Sequence, residues 1–103
     1  MRGMQDMLRQ AQMMQKKLST MQEELKTREV EASSGGGMVT VRANGSNEIL
    51  SIVIDKSVVE AGDVEMLQDL VLTAVGDALK KVKAMSDEEM GKITGGIKIP
   101  GMF

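Results

Sequence analysis

The segment SSGGGMVTVRANGSN, residues 33–47, decides the fold, because it places two turns on either side of an alternating run. Val39, Val41 and Ala43 alternate with the polar Thr40 and Arg42, and a period of two predicts a β-strand. A glycine run could instead cradle a phosphate, but that site needs a helix to follow it, usually with a lysine and a hydroxyl residue. A strand follows here, so the glycines are interpreted as a hairpin turn.

The two turns predict how the strands pair. A turn at Gly35-Gly36 sets Ala32 opposite Val39 and Val30 opposite Val41. An even-length second turn at residues 44–47 gives one shared apolar face, made of Val39, Val41, Ala43, Leu50, Ile52 and Ile54. Residues 28–55 are therefore predicted to form a three-stranded antiparallel meander with one dry side.

Residues 1–27 predict a long helix. Apolar residues recur in alternating steps of three and four, at Met4, Met7, Ala11, Met14, Leu18, Met21 and Leu25. A helix of about 24 residues is about 36 Å long, whereas a compact chain of this size has a radius of gyration of about 13 Å. We therefore expect the helix to extend beyond its own domain.

The apolar stripe on this helix predicts a homodimer. Soluble monomers rarely expose so continuous an apolar surface, and a second copy of the chain is the simplest cover for it. The residues predicted to form the dimer interface are Met4, Met7, Ala11, Met14, Leu18 and Met21.

A second helix is predicted over residues 64–90, where apolar residues recur at the spacing of one broad buried stripe. It should lie across the apolar face of the sheet. Ser86-Asp87-Glu88-Glu89 has the pattern of a capping box, which predicts a new helical turn or a kink near Met85. Residues 91–103 are rich in glycine and are expected to form a flexible tail. The whole chain, residues 1–103, is interpreted as one α+β domain.

Composition argues against an enzyme. The 103 residues include no cysteine and no histidine, so the chain has no thiol nucleophile, no imidazole base and none of the usual soft metal ligands. The 11 methionines could offer thioethers to Cu(I), but their place on the helical stripe favours adaptable core packing. We predict no catalytic residue, no metal, no cofactor and no small-molecule substrate. With no apolar stretch approaching 20 residues, we also expect a soluble protein without a membrane partner.

The net charge of −2 conceals a local asymmetry. Arg2, Arg9 and Lys16 share the helical line farthest from the apolar stripe, and Lys17 flanks it. Such a cationic ridge suits a polyanion, although a solvated face has the same pattern. Lys80, Lys81 and Lys83 cluster on the second helix, where they would equally favour its C-terminal dipole. Phe103 is the sole aromatic residue, so base stacking on single strands is not expected.

The order of motifs along the chain resembles the YbaB/EbfC family of small bacterial nucleoid-associated proteins. The resemblance rests on GGGMVTVRANG, IDKSVV and DLVLTAVGDALKK, in this order, between a Met- and Gln-rich helix and a tail that ends in PGMF. It covers nearly the whole chain.

The resemblance implies an α-β-β-β-α chain and a tweezer-shaped homodimer with protruding helices. It also implies binding to double-stranded DNA at the nucleoid, in the cytoplasm, with effects on nucleoid organisation and gene expression. By that likeness the DNA contacts fall on both helices, at Arg9, Lys16, Lys17, Lys80, Lys81 and Lys83, and Arg2 extends the same ridge. The competing interpretation is a dimeric protein-interaction adaptor that uses its Met-rich helix and does not bind DNA.

Overall fold

The computed structural model describes the backbone of residues 2–94 and the side chains of residues 3–94. The elements follow one another as helix α1 (Arg2–Thr27), strands β1 (Glu29–Ser34), β2 (Val39–Asn44) and β3 (Ile49–Ile54), and helices α2 (Lys56–Glu60) and α3 (Val64–Ile93). The strands form one antiparallel sheet in the order β1-β2-β3. The predicted α+β fold, with a long N-terminal helix before a three-stranded meander, is confirmed.

The glycine turn is longer than the sequence predicted. Gly35, Gly36 and Gly37 all have positive φ angles, and the amide of Gly37 donates to the carbonyl of Ser34 at 3.2 Å. Ala32 therefore pairs with Val41 rather than with Val39, which is a shift of two residues. A shift of two leaves every side chain on its predicted face, because side chains alternate along a strand.

The second hairpin pairs as predicted except at its start. Val39 lies opposite Ile54 and Val41 opposite Ile52, but Ala43 lies opposite Ile49. Leu50 is therefore an extra residue in β3, and the register shifts between Arg42 and Ala43.

Helix α3 covers two of the three strands. Its buried residues pack on small residues of β1 and on the valines of β2, and together they form the main core of Ala32, Val39, Val41, Ala43, Ala74, Ala78 and Val82. The sequence predicted that this helix would lie across the apolar face of the sheet, and its principal contacts are with β1 and β2. On the same face of β3, Ile54 packs against this core, whereas Ile52 is 45% exposed.

Two helix boundaries differ from the sequence prediction. Helix α3 runs without interruption through Met85 and Ser86 to Ile93, so the helix does not start anew at the predicted capping box. Met85 is buried against α1, and this packing favours continuation of the helix. The short helix α2 was not predicted as a separate element. It begins at Asp55, whose carboxylate accepts from the amide of Ser57 at 2.8 Å.

A second core joins α1 to the end of α3. Met21 and Leu25 of α1 pack against Met85, with Leu18, Val30, Met90 and Ile93 around them. The molecule is elongated, with extents of 72 × 25 × 16 Å and a radius of gyration of 19.5 Å. This radius is well above the value of about 13 Å expected for a compact chain of this length, as the predicted overhang of α1 requires. The predicted tail from residue 95 onward lies outside the described residues.

Candidate nucleic-acid interface

Three of the predicted DNA-binding cations lie on the surface of α1. Arg9, Lys16 and Lys17 are all exposed, and across residues 3–94 none of them forms an ion pair. Arg2 is the first residue of α1, but its side chain is outside the described part of the structure. The α1 cations therefore remain available to an external anion.

The three lysines near the middle of α3 differ in their surroundings. Lys80 and Lys83 are exposed and have no carboxylate partner among the described residues. Lys81 is also exposed, but its Nζ donates to the backbone carbonyl of Glu31 in β1 at 2.6 Å. One of its three donors is thus already used at the edge of the sheet, so we expect Lys81 to bind an external anion less freely.

Three other cations are held in ion pairs with carboxylates. The pairs within the described residues are Arg28–Glu89 at 2.8 Å, Lys92–Glu89 at 3.1 Å and Arg42–Glu29 at 3.1 Å. Hydrogen bonds from Lys92 and from Arg28 hold the pKa of Glu89 below its ordinary value. Glu89 therefore joins the start of β1 to the last turns of α3.

The structure brings Lys16 and Lys17 close to the end of α3. Both line a cleft of about 460 Å³ between the two helices, together with Lys92. Sequence reasoning missed Lys92 because it assigned residues 91–103 to a tail. The extension of α3 to Ile93 is what places this third lysine beside the α1 ridge.

The apolar stripe of α1 is divided between two environments. Leu18 and Met21 pack within their own chain, and Met21 is only 6% exposed. Met4, Met7, Ala11 and Met14 are exposed, and the side chain of Met7 reaches 71%. The N-terminal part of the stripe therefore lacks a partner within residues 3–94.

A second apolar surface lies on β3, the edge strand of the sheet that α3 leaves largely exposed. Four of its six residues are large, exposed and hydrophobic, namely Ile49, Leu50, Ile52 and Val53. Within the described residues the outer edge of β3 has no neighbouring strand. An unpaired, apolar and uncharged edge is the kind of strand that associates with another chain.

No group of three or more acidic, cysteine or histidine residues in the described part of the chain is arranged to hold a metal ion. Likewise, no helix there is both long and apolar enough to cross a membrane.

Comparison with known proteins shows which proteins this chain is similar to. The family model described as the YbaB/EbfC DNA-binding family matches residues 1–97. A nucleoid-associated protein of Pelotomaculum thermopropionicum is 52% identical over 101 residues, which cover 98% of this chain and 96% of that protein. A nucleoid-associated protein of Syntrophobacter fumaroxidans is 52% identical over 95 residues, which cover 92% of this chain and 86% of the relative.

The fold also resembles a solved structure. The crystal structure of an uncharacterized protein from Helicobacter pylori, HP0035, superposes with a TM-score of 0.66 at 33% sequence identity. The match covers 76% of this chain and 90% of the Helicobacter chain.

Proposed function

The chain belongs to the YbaB/EbfC DNA-binding family, and from this premise we propose that it binds double-stranded DNA mainly through contacts to phosphates. It does so without catalysis, as a nucleoid-associated protein in the cytoplasm that contributes to nucleoid organisation and gene regulation. The observation that carries the mechanism is the set of exposed cations on two helices with no carboxylate partner among the described residues. The proposed contacts among them are Arg9, Lys16, Lys17, Lys80 and Lys83, whereas Lys26 in the last turn of α1 shares these properties and serves as a control.

Phosphate contacts suit this surface better than base readout does. Lysine and arginine neutralise phosphates wherever the surface fits the duplex, and this binding needs no recognition of bases. Tyrosine and tryptophan are absent from the chain, so binding by base stacking has little support. Arg2 and Lys81 complete the proposed set of contacts, with Lys81 contributing less because its Nζ already donates to the backbone carbonyl of Glu31.

We also propose that the binding unit is a homodimer. Two apolar surfaces, the exposed stripe of α1 and strand β3, have no cover within the described residues of one chain. Association of two copies would shield them and would duplicate the cationic surface. The α1 contribution would come from Met4, Met7, Ala11 and Met14, with Leu18 and Met21 supporting the helix from within.

The salt dependence of DNA binding tests the phosphate mechanism. If about six phosphates are neutralised, the logarithm of the association constant should fall against the logarithm of salt concentration with a slope near −5. Fluorescence anisotropy with a labelled duplex measures this slope. The Lys16→Glu/Lys17→Glu variant should bind more weakly and reduce the magnitude of the slope by about 2 for each subunit whose α1 contacts the duplex.

A matched control is Lys26→Glu/Lys56→Glu, which changes the net charge equally at exposed lysines outside the proposed surface. It should lose much less affinity than the Lys16/Lys17 variant. Equal losses in the two variants, or an affinity that does not depend on salt, would contradict the proposed mechanism.

The exposed stripe of α1 favours one other function, that of an adaptor which receives a partner helix without binding DNA. Affinity capture after nuclease digestion separates the two functions. A stoichiometric protein partner, together with no duplex binding in anisotropy, would support the adaptor.

A further inference from the structure

The N-terminal part of α1 projects from the rest of the described chain. Every residue from Gly3 to Lys17 is exposed, and the packing that attaches α1 to the core begins at Leu18. Residues 3–17 form a helical arm about 22 Å long. A helix with its side chains is about 10–12 Å across, and the major groove of B-form DNA is about 12 Å wide. The helical arm therefore has the dimensions of an element that enters the major groove.

One side of the helical arm combines glutamines with cations. Gln5, Arg9, Gln12 and Lys16 recur at steps of four, three and four residues, which places them within an arc of about 60° around the helix. All four are exposed, and among residues 3–94 none of their side chains forms a hydrogen bond or an ion pair. The next carboxylate on this polar line is Glu23, about two turns beyond Lys16.

The polar line lies on the side of α1 opposite the apolar stripe. A second copy of the chain that covered Met7 and Met14 would therefore leave Gln5 and Gln12 open to solvent. Dimer formation and contact with DNA can thus use different sides of the same helix.

The two kinds of residue on the polar line differ in what they recognise. Lysine and arginine bind phosphates, which supply affinity but carry no sequence information. A glutamine amide both donates and accepts, and its paired contact to N6 and N7 of adenine distinguishes A·T from the other base pairs in the major groove. The polar line therefore carries groups for both kinds of contact.

We propose that the helical arm lies in the major groove, where Gln5 and Gln12 read adenines while Arg9 and Lys16 hold the phosphates that border the groove. This inference rests on the proposed function and adds a sequence preference to it. Gln5 and Gln12 are seven positions apart, which is about 10.5 Å along the helix or about three base-pair steps. Preferred sites should therefore contain two A·T base pairs about three steps apart.

Enrichment of bound duplexes from a pool of random sequence tests this recognition. The natural protein should enrich the A·T pairs at that spacing and bind the enriched duplex about 25-fold more tightly than a scrambled one, or about fivefold for each glutamine. Gln12→Ala should lose about fivefold on the enriched duplex in fluorescence anisotropy. Its affinity for the scrambled duplex and its salt slope should not change, because the substitution removes no charge.

Gln10→Ala is the matched control, since Gln10 is exposed on the same helical arm but lies about 130° from the polar line. It should keep the full preference. A change in the DNA tests the contact at the level of atoms. Replacing the adenine read by Gln12 with 7-deazaadenine removes the N7 acceptor, so the natural protein should lose about fivefold and Gln12→Ala should lose nothing further.

Three outcomes separate this inference from the proposed function. If Gln12→Ala keeps the preference of the natural protein, Gln12 does not read a base. If the natural protein binds all duplexes alike with a salt slope near −5, base reading by the helical arm is wrong and the proposed function stands. If it binds no duplex, both are wrong.

Discussion

At the scale of single residues, Gly45 fixes how α1 meets the sheet. Its amide donates to the carbonyls of Leu25 at 2.8 Å and Arg28 at 3.1 Å, which lie at and just beyond the last turn of α1. A Cβ at this position would lie 2.6 Å from the Cβ of Leu25 and would also meet the Leu25 backbone. The turn between β2 and β3 and the end of α1 can therefore approach each other only because residue 45 has no side chain.

We expect Gly45→Ala to lower the free energy of unfolding by about 1–3 kcal/mol, because the backbone must move to make room for the methyl group. Urea denaturation followed by circular dichroism measures this change. The matched control is Gly76→Ala in α3, where an added Cβ meets nothing within 4 Å. That substitution should stabilise the protein by about 0.5–1 kcal/mol, since alanine favours a helix interior. If Gly45→Ala left the free energy of unfolding unchanged, the close approach to Leu25 would not require glycine at residue 45.

Glu89 makes the stability of the protein depend on pH. Its pKa is lowered in the folded chain by hydrogen bonds from Lys92 and Arg28, so its contribution to stability is present above its unfolded pKa of about 4.3. That contribution is lost as pH falls through the lower folded value. We expect Glu89→Gln to be less stable than the natural protein at neutral pH, and this difference should shrink as the pH falls below about 4.

Thermal unfolding between neutral pH and pH 3 measures this convergence. Glu88→Gln is the control, since Glu88 is exposed on the same helix and forms no ion pair among residues 3–94. If the stability difference between Glu89→Gln and the natural protein stayed constant across this range, the proposed contribution of Glu89 to stability would be contradicted.

At this scale the sequence predicted the conformation of a local turn. It did not predict contacts between residues that are distant in the sequence. The glycine turn follows from Gly35 and Gly36 alone, and each side chain kept its predicted face because Gly37 and Met38 together lengthened the loop by two residues. The role of Gly45 depends on α1, which is distant in sequence. The position of Lys92 beside Lys16 likewise depends on how two helices pack.

At the scale of elements, α1 consists of a packed half and a free half. Met21 and Leu25 join it to α3, whereas Met4 and Met7 extend past the core. The orientation of the cationic ridge is therefore set by a few contacts near the C-terminal end of the helix. Weakening those contacts should release the whole helix without unfolding the sheet.

We expect Leu25→Ala to lower the free energy of unfolding by about 2–5 kcal/mol, because Leu25 is only 4% exposed and removal of its side chain leaves a cavity. Hydrogen exchange should rise through residues 14–27 and change little in β2. The matched control, Leu8→Ala, removes the same atoms from an exposed position on the same helix. It should change the free energy of unfolding by no more than about 0.5 kcal/mol. A similar effect of the two substitutions would show that α1 is not attached through Leu25.

The long elements were predictable because their periodicity is sustained over many residues. Helix α2 has five residues, which is too short to show a helical period. The capping pattern at Ser86 does not start a new helix, because the apolar stripe of α3 continues past Ser86, where Met90 and Ile93 pack toward α1. A capping pattern marks a helix start only when the packing of the preceding residues ends there.

At the scale of the whole molecule, the surface left exposed on β3 matters most. Ile52 belongs to the apolar face of the sheet, yet α3 stops short of it and leaves it 45% exposed. Val53 on the opposite face is 62% exposed. Both faces of an edge strand are thus apolar and open, which explains why we propose a second copy of the chain as the cover.

The proposed dimer would make the stability of the protein depend on its concentration. We expect the midpoint of thermal unfolding to fall by about 2–6 °C for each tenfold dilution, because dissociation accompanies unfolding. Scanning calorimetry together with analytical ultracentrifugation measures this shift. Ile52→Glu and Met7→Glu should each shift the equilibrium toward single subunits. A folded single-subunit species with a constant midpoint between about 1 and 100 μM would contradict the homodimer.

A chain that lay with its 72 Å axis along DNA would limit how densely the protein can occupy a duplex. Laid along B-form DNA, this length spans about two helical turns, or roughly 20 base pairs. Adjacent molecules would then exclude one another over that distance. Titration of a long duplex to saturation should therefore show a coverage set by the length of the chain. The stoichiometry should be one molecule per tens of base pairs rather than one per single phosphate.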